Sequence, residues 1–189
     1  MADTLTLLQL RTAVRQRADM VNSQFVSDSE LTGYINYSYK ELYDLIVDAN
    51  EDYNLTSSTL TITTGNTVSL PADFYKFRGL DDLSYGTSTP ITVLKFNWNE
   101  RNYGSSPIQD GRSGIYQYSS VRYRIIGNSL IIEPAESAAR SYKLWYIPAV
   151  ANLVNDADLA DGVQGWLEYV IVDAAIKCLI KEESDIKPL

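Results

Sequence analysis

The chain has 189 residues, of which 45% are hydrophobic and 21% are charged, and its formal net charge at pH 7 is −8. This length allows a sizeable core in one domain, or in one domain with a large insertion. Because the sequence contains no histidine, Ser-His-Asp, Cys-His and His-based metal sites are excluded within one chain.

The charges are unevenly distributed along the sequence. Residues 91–150 hold 7 basic and 4 acidic residues, so this segment is net positive. The other segments are net negative: residues 1–50 hold 4 basic and 7 acidic residues, residues 51–90 hold 2 basic and 5 acidic, and residues 151–189 hold 3 basic and 8 acidic. An acidic chain is a poor candidate for wrapping DNA through phosphate neutralisation. It could instead line a passage through which DNA slides without sticking.

A first helix is predicted from Thr6 to about Ala18. Thr6 and Gln9 have the spacing of a capping box, and an apolar stripe follows, formed by Leu7, Leu10 and Val14. The same segment carries three arginines, which are Arg11, Arg15 and Arg17. They indicate either a basic patch for nucleic acid or, as we favour, a solvated helix face.

A longer helix is predicted from Ser27 to Val47, and Ser27 and Glu30 repeat the capping-box spacing. Its apolar stripe recurs at steps of three and four residues: Leu31, Tyr34, Ile35, Ser38, Leu42, Leu45 and Ile46. The opposite, polar face comprises Asn36, Lys40, Glu41, Asp44 and Asp48. A stripe of this length needs another element to cover it, and we expect that element from the ends of the chain.

The middle of the chain alternates in the manner of β-strands. A hairpin is predicted from Thr59–Thr64 and Thr67–Leu70 around a Gly65-Asn66 turn, and Pro71 ends it. Further strands are predicted at 77–85, 91–96, 115–118, 121–126, 129–133 and 141–147, with a tight turn at Gly127-Asn128 and a helical turn anchored by Trp98 at 97–103.

A last helix is predicted from Val163 to about Glu183, with Asp161 as its cap. Its wide apolar stripe contains Trp166, Leu167, Val170, Ile171, Ala174, Ala175, Cys178 and Leu179. Because the single cysteine, Cys178, lies in this stripe, we predict a buried and unreactive thiol. The sequence predicts an α+β fold: an antiparallel helical bundle from 1–55 and 150–189, with an inserted antiparallel β subdomain, a small sheet or barrel, over 56–149.

Two acidic pairs offer the remaining catalytic or metal-binding possibilities. Asp81-Asp82 could hold a hard cation or form half of a glycosidase pair, and Asp156-Ala157-Asp158 resembles the start of a calcium loop. The second pair lacks the glycine and glutamate of an EF-hand, so solvated loop acids are the favoured reading. The 14 tyrosines could stack on sugars or bases, but we expect core and interface packing from them.

The order and spacing of several segments resemble the head-to-tail adaptor (connector) proteins of tailed bacteriophages, in the family typified by the adaptor of phage SU10. The resembling segments are Leu10-Arg11, Phe25 to Leu31 with Tyr34-Ile35-Asn36 and Leu42, Leu70 to Phe74, Trp98, Leu130 to Pro134, Tyr142-x-Leu144-x-Tyr146-x-x-Pro148, and a helix with Tyr169 and Ala174.

This resemblance implies a structural virion protein without enzymatic activity or cofactor, made in the host bacterial cytoplasm and located at the head–tail junction. It implies a dodecameric ring below the portal protein that extends the DNA channel and carries tail or nozzle proteins. The portal contact would fall on Ile180, Lys181, Ile186, Lys187 and Leu189. A loop from Gly104 to Gly114, with Ser106, Ile108 and Arg112, would face a neighbouring subunit or the tail.

Two alternatives stay open at this point. One is another ring of the tail, such as a tail-completion protein. The other belongs to a different class: a carbohydrate-binding module or carboxylate-dependent glycosidase built on the β region.

Overall fold

The computed structural model describes residues 2–21, 25–100, 121–136, 139–163 and 165–182. Its described elements, in chain order, are β1 (Ala2–Thr6), α1 (Leu7–Arg17), α2 (Asp28–Ala49), β2 (Thr56–Ile62), β3 (Gly65–Ser69), β4 (Phe74–Asp82), β5 (Ile91–Thr92), β6 (Leu94–Lys95), a 3-10 helix (Trp98–Glu100), β7 (Arg122–Ile126), β8 (Ser129–Glu136), β9 (Arg140–Pro148), β10 (Leu159–Val163) and α3 (Leu167–Lys181). The fold is α+β with mostly antiparallel strand pairs, as the sequence predicts.

The chain divides into two compact units. One, the helical unit, consists of residues 1–53 and 150–189, and the other, the β unit, consists of residues 54–149. The helical unit contains 7 basic and 17 acidic residues, a net charge of −10, and the β unit contains 9 and 7, a net charge of +2.

The predicted N-cap residues of the first two helices are confirmed, and α1 also shows the complete capping box. Thr6 accepts a hydrogen bond from the Gln9 backbone N–H, and the Gln9 side chain accepts one from the Thr6 backbone N–H at 2.8 Å. Ser27 accepts from the Glu30 N–H at the start of α2. These caps are short-range features, so the sequence alone locates both helix starts.

The start of α3 differs from the prediction. Asp161 is not a cap but lies in β10, where it pairs with Thr4 of β1 in an antiparallel two-stranded sheet. The helix begins after Trp166, which makes no capping side-chain hydrogen bond, and the chain reaches it through Gly165 at φ +81°. The apolar pattern of Val163 thus belongs to a strand, because the turn at Gly165 separates it from the helix.

The three helices contact one another and share one apolar core. Its fully buried members include Leu7, Leu10, Val14, Leu31, Ile35, Leu42, Val170, Ala174 and Ala175.

Two residues of α2 depart from the predicted pattern. Leu45, a predicted member of the apolar stripe, is 46% exposed, and Asn36, a predicted member of the polar face, is half-buried. The Asn36 amide binds both backbone groups of Leu153, accepting from its N–H at 2.7 Å and donating to its carbonyl at 2.9 Å.

In its described residues, the β unit contains two four-stranded sheets, with strand orders β2-β9-β4-β5 and β3-β8-β7-β6. The predicted hairpin of 59–64 and 67–70 is therefore wrong, because β2 pairs with β9 and β3 pairs with β8, in different sheets. Gly65, at φ +84°, begins β3 instead of forming a hairpin turn. Alternation identifies a strand correctly, but its partner is set by distant residues that a local pattern does not contain.

Other predicted strands shift or divide. The strand expected at 77–85 spans Phe74–Asp82, and the one expected at 91–96 divides into β5 and β6, which belong to different sheets.

The tight turn at Gly127-Asn128 is confirmed, with Gly127 at φ +58° between β7 and β8. Trp98 does lie in a short helical turn, but it is 63% exposed and does not anchor that turn in a core. The strand expected at 115–118 lies outside the described residues.

Candidate interaction surfaces

The predicted portal contact is only partly within the described chain. Ile180, in the last turn of α3, is 57% exposed. Lys181 is engaged within the helical unit: its Nζ donates to Glu30 Oε2 at 2.6 Å and lies 4.9 Å from the ring centroid of Phe25. The other predicted contacts, Ile186, Lys187 and Leu189, and the predicted loop residues Ser106, Ile108 and Arg112, lie outside the described residues.

Arg11 and Arg15 of α1 are mostly buried and are not part of a solvated face. Arg11 donates to Thr32 Oγ1 at 2.9 Å and to Asp156 Oδ1 at 2.6 Å. Arg15 donates to the Val26 carbonyl at 2.9 Å and to Asp28 Oδ1 at 2.8 Å, and its hydrogen bond lowers the pKa of Asp28.

Arg17, which is the most exposed of the three arginines, forms an ion pair with Glu168 of α3. Each guanidinium in this group therefore has a carboxylate partner in the helical unit. The favoured interpretation of a solvated face is wrong for Arg11 and Arg15. The alternative of a nucleic-acid patch is also weakened, because phosphates would have to displace existing partners.

A polar network joins α2 to α3. The Ser38 hydroxyl donates to Asp173 Oδ2 at 2.6 Å, and Lys177 Nζ donates to Ser38 Oγ at 3.1 Å and to Glu41 Oε1 at 3.3 Å. Lys177 also forms an ion pair with Asp173. Tyr169 completes the network by donating to Glu41 Oε2 at 3.3 Å.

The pKa shifts in this network favour the charged forms of Asp173 and Lys177. Burial opposes the charged form of Asp173, but hydrogen bonds from Lys177 and Ser38 outweigh it and lower the pKa of the carboxyl group. Burial likewise opposes the charged form of Lys177, but Asp173 and Glu41 outweigh it and raise the pKa of the amine. At neutral pH the pair is therefore an ammonium and a carboxylate.

The contact of Ser38 with Lys177 has the spacing of a Ser–Lys catalytic dyad, but it lacks the required chemistry. A nucleophilic serine needs an unprotonated base and an accessible oxygen. Lys177 is held in its protonated form, and Ser38 is completely buried. The network is thus a structural connection between two helices.

The acidic pair of the β unit is also fully engaged. Asp81 accepts from the Trp145 indole N–H at 2.8 Å. Asp82 is buried, accepts from the Ser84 backbone N–H at 2.8 Å and is paired with Arg140 at 3.4 Å. Carboxylates used in this way do not offer the free acid and base of a glycosidase.

The Asp156-Ala157-Asp158 segment shows a similar arrangement. Asp158 accepts from the backbone N–H groups of Val154 and Asn155, which lower its pKa, and Asp156 is the partner of Arg11. In the part of the chain that the structure describes, no three cysteine, aspartate or glutamate side chains come together in a way that could hold a metal ion.

One exposed surface lies on the outer side of the sheet that contains β7, and we call it the aromatic face. It comprises Leu94, Phe96, Trp98, Arg122, Arg124 and Ile126. Alternation along β7 places residues 122, 124 and 126 on the same side, and the parallel register aligns Leu94 with Arg122. Leu94, Trp98 and Ile126 are 56%, 63% and 53% exposed.

Arg124 lies at the centre of the aromatic face. Its guanidinium carbon is 5.5 Å from the Phe96 ring centroid and 5.6 Å from that of Trp98, within the range of cation–π attraction. It also donates to Glu133 Oε1 at 3.0 Å. These contacts fix the two aromatic rings on the surface around one cation.

A second surface lies on the outer side of α3, and we call it the α3 groove. It is an open groove of about 320 Å³ lined by Glu168, Tyr169, Val172, Asp173 and Ile176. Burial raises the pKa of the Tyr169 phenol, and the negative charges of Asp173 and Glu41 raise it further. The groove therefore combines an apolar floor with flanking carboxylates.

Neither surface was predicted as a site from the sequence, although part of the signal is present there. Tyr169, Val172 and Ile176 repeat at steps of three and four residues, which gives α3 a second apolar stripe beside the buried one. The aromatic face could not be found in this way, because it requires the pairing of β6 with β7.

Comparison with known proteins gives one family. The sequence model of the SU10 adaptor protein family matches residues 5–185, which covers almost the whole chain. No curated protein matches the chain. Among the described helices, none has the length and apolar character needed to cross a membrane.

Proposed function

The chain belongs to the SU10 adaptor protein family, and from this premise we propose that it forms a dodecameric ring below the portal protein. The family consists of structural bacteriophage proteins, so the chain is a virion component. In the proposed role it joins the capsid to the tail, extends the DNA channel and presents a platform for tail or nozzle proteins.

The observation that carries this proposal is the extent of the family match. It runs from residue 5 to residue 185 and so includes both the helical unit and the β unit. The engagement of the acidic pairs and of Ser38 in internal hydrogen bonds agrees with a structural role. Trp145 does not support the carbohydrate-binding alternative, because Lys143 Nζ lies over its ring at 3.9 Å from the centroid and occupies a face on which a sugar would stack.

We assign the helical unit, as an antiparallel bundle, to ring formation and portal contact. The segment from Ile180 to Leu189 would lie nearest the portal, and the exposure of Ile180 supports this assignment. Lys181 contributes indirectly, by tying the end of α3 to the start of α2 through Glu30. The loop with Ser106, Ile108 and Arg112 would face the neighbouring subunit or the next tail component.

The net charge of −10 on the helical unit suits a channel for DNA. Carboxylates along a lumen repel phosphates and keep DNA from binding to the wall. DNA therefore passes through the proposed ring without sequence-specific contacts.

Binding to phage heads tests the proposal. The purified chain is mixed with portal-containing, DNA-filled heads of its phage, and native mass and DNA leakage are measured. We expect a fixed number of copies per head and a marked reduction in leakage. Failure to bind heads would refute the role below the portal, and binding only to assembled tails would identify a more distal tail ring.

A further inference from the structure

We propose that the aromatic face of one copy of the chain packs into the α3 groove of the next copy, so that the subunits join head to tail. This inference rests on the proposed ring and adds the surfaces that would hold it together. Both surfaces are exposed in the single chain, and they have opposite electrostatic character.

The aromatic face provides the cationic partner. Trp98, Leu94 and Ile126 expose more than half of their surface. Arg122 and Arg124 lie on the same side of the sheet as Glu133, which forms an ion pair with Arg124 and lies opposite Arg122 in the register of β7 and β8. Two cations therefore accompany one carboxylate among the described residues of this face. Tryptophan and arginine are the residues most enriched at the energetic centres of protein interfaces.

The α3 groove provides the concave, anionic partner. Its floor is formed by Tyr169, Val172 and Ile176, and carboxylates flank it at Glu168 and Asp173. Glu41 of α2 adds a third carboxylate through its contact with the Tyr169 hydroxyl. These three acids outnumber the two cations that pair with them, Arg17 and Lys177.

A second copy is the occupant that fits both surfaces. A ring requires each subunit to present two different, complementary patches, and the two units of this chain carry net charges of −10 and +2. Pairing like with like is unfavourable, because two aromatic faces would oppose arginines and two grooves would oppose carboxylates. The head-to-tail arrangement instead brings arginines to carboxylates and covers apolar surface on both sides.

Two matched variants test this contact. Trp98→Gln removes the centre of the aromatic face and leaves the groove intact, whereas Ile176→Gln alters the groove and leaves the aromatic face intact. Tyr85→Gln and Val154→Gln are controls at exposed positions of the β unit and the helical unit outside both surfaces. Circular dichroism and thermal unfolding establish that each variant is folded.

The decisive measurement is the mixing of the two variants, followed by analytical ultracentrifugation at concentrations where the wild type self-associates. Each variant alone should self-associate at least about 30-fold more weakly than the wild type, as expected for loss of an interface hot spot. Their equimolar mixture should form 1:1 dimers and no larger species, because only one complementary pair of surfaces survives. Self-association of either variant at wild-type strength, or a mixture without dimers, would overturn the proposal.

Phage heads provide the same test if the wild type is monomeric in solution. Copies per head are counted for the wild type, both variants and both controls, and we expect incomplete rings only from Trp98→Gln and Ile176→Gln. A chain carrying both Trp98→Cys and Ile176→Cys beside the buried native Cys178, the double-cysteine chain, should give a ladder of disulfide-linked multimers on oxidised heads. Chains that carry only one of the two changes should give none. If complete rings form with both glutamine variants, or the double-cysteine chain gives no ladder on heads that bind it, this inference fails while the adaptor role stands. If the wild type does not bind heads, the adaptor role itself fails.

Discussion

Replacing Asp173 by Asn should destabilise the helical unit by removing the charge that holds Lys177 and Ser38 between α2 and α3. Asp173 is about three-quarters buried and accepts from both of these groups. A hydrogen bond to a charged group contributes about 1.5–3 kcal/mol. Glu41 remains 3.3 Å from Lys177 and limits the loss, so we expect the free energy of unfolding at pH 7 to fall by about 2 kcal/mol.

The effect of Asp173→Asn should depend on pH in a defined direction. The pKa of Asp173 is lowered from its ordinary 3.8, so its contribution to stability is fully present above pH 3.8 and is lost as the pH falls through the lower folded-state pKa. The difference between wild type and variant should therefore shrink below pH 3.8. The pKa of Lys177 is raised from 10.5, so its contribution is complete below pH 10.5 and is lost above it.

Urea unfolding followed by circular dichroism at 222 nm measures these differences. Asp48→Asn, at an exposed position of α2, is the matched control and should change the free energy of unfolding by less than about 0.5 kcal/mol. Adding Lys177→Met to Asp173→Asn should cost less than the sum of the two single changes, because the second change removes a cation that has already lost one of its two carboxylate partners. An Asp173→Asn effect below about 0.5 kcal/mol at pH 7, or one equally large at pH 3, would refute this account of the network.

Three further outcomes are expected. Asn36→Ala should lower the free energy of unfolding by about 2–4 kcal/mol in urea titration, because it leaves both backbone groups of Leu153 without their partner; an effect as small as that of a surface change would contradict it. Leu42→Ala should cost about 2–5 kcal/mol and Leu45→Ala under about 1 kcal/mol by the same measurement, since only Leu42 is fully buried; equal losses would place Leu45 in the core after all. Burial raises the pKa of Cys178 to about 11, so a thiol reagent at pH 8 should label it only after denaturation, and rapid labelling of the native chain would show that the thiol is accessible.

Features set by neighbouring residues could be predicted from the sequence. The starts of α1 and α2 follow from Thr6 and Ser27, whose hydroxyls bind backbone N–H groups only three residues away. The turn between β7 and β8 is predicted for the same reason, because Gly127 supplies the required backbone conformation directly.

Features set by distant residues could not be predicted. The strands β2 and β3 have the alternation and the Gly-Asn pair of a hairpin, yet each finds its partner about 60 to 90 residues later in the chain. The sheet of β1 and β10 was missed because Ala2–Thr6 has no strong strand pattern and forms only with Leu159–Val163. Its formation also explains why Asp161 is a strand residue and not a helix cap.

The candidate surfaces follow the same division. The apolar stripe of Tyr169, Val172 and Ile176 is visible in the sequence, but periodicity does not show which of two stripes on α3 faces the core. The charges of Arg11 and Arg15 are obvious in the sequence, whereas their partners Asp156 and Asp28 depend on tertiary packing. For such side chains, composition indicates polarity but not exposure.

The division of the helical unit between residues 1–53 and 150–189 has a consequence for synthesis on the ribosome. The apolar stripe of α2 emerges early, but the α3 residues that cover it emerge after the whole β unit. The β unit is continuous in sequence and can fold while the chain is still being made, whereas α1 and α2 must wait for their last partner. The nascent chain therefore carries the apolar stripe of α2 without its α3 partner through most of translation. Because the β unit can fold before α3 is made, it shortens the effective loop that has to close when α3 packs against α2.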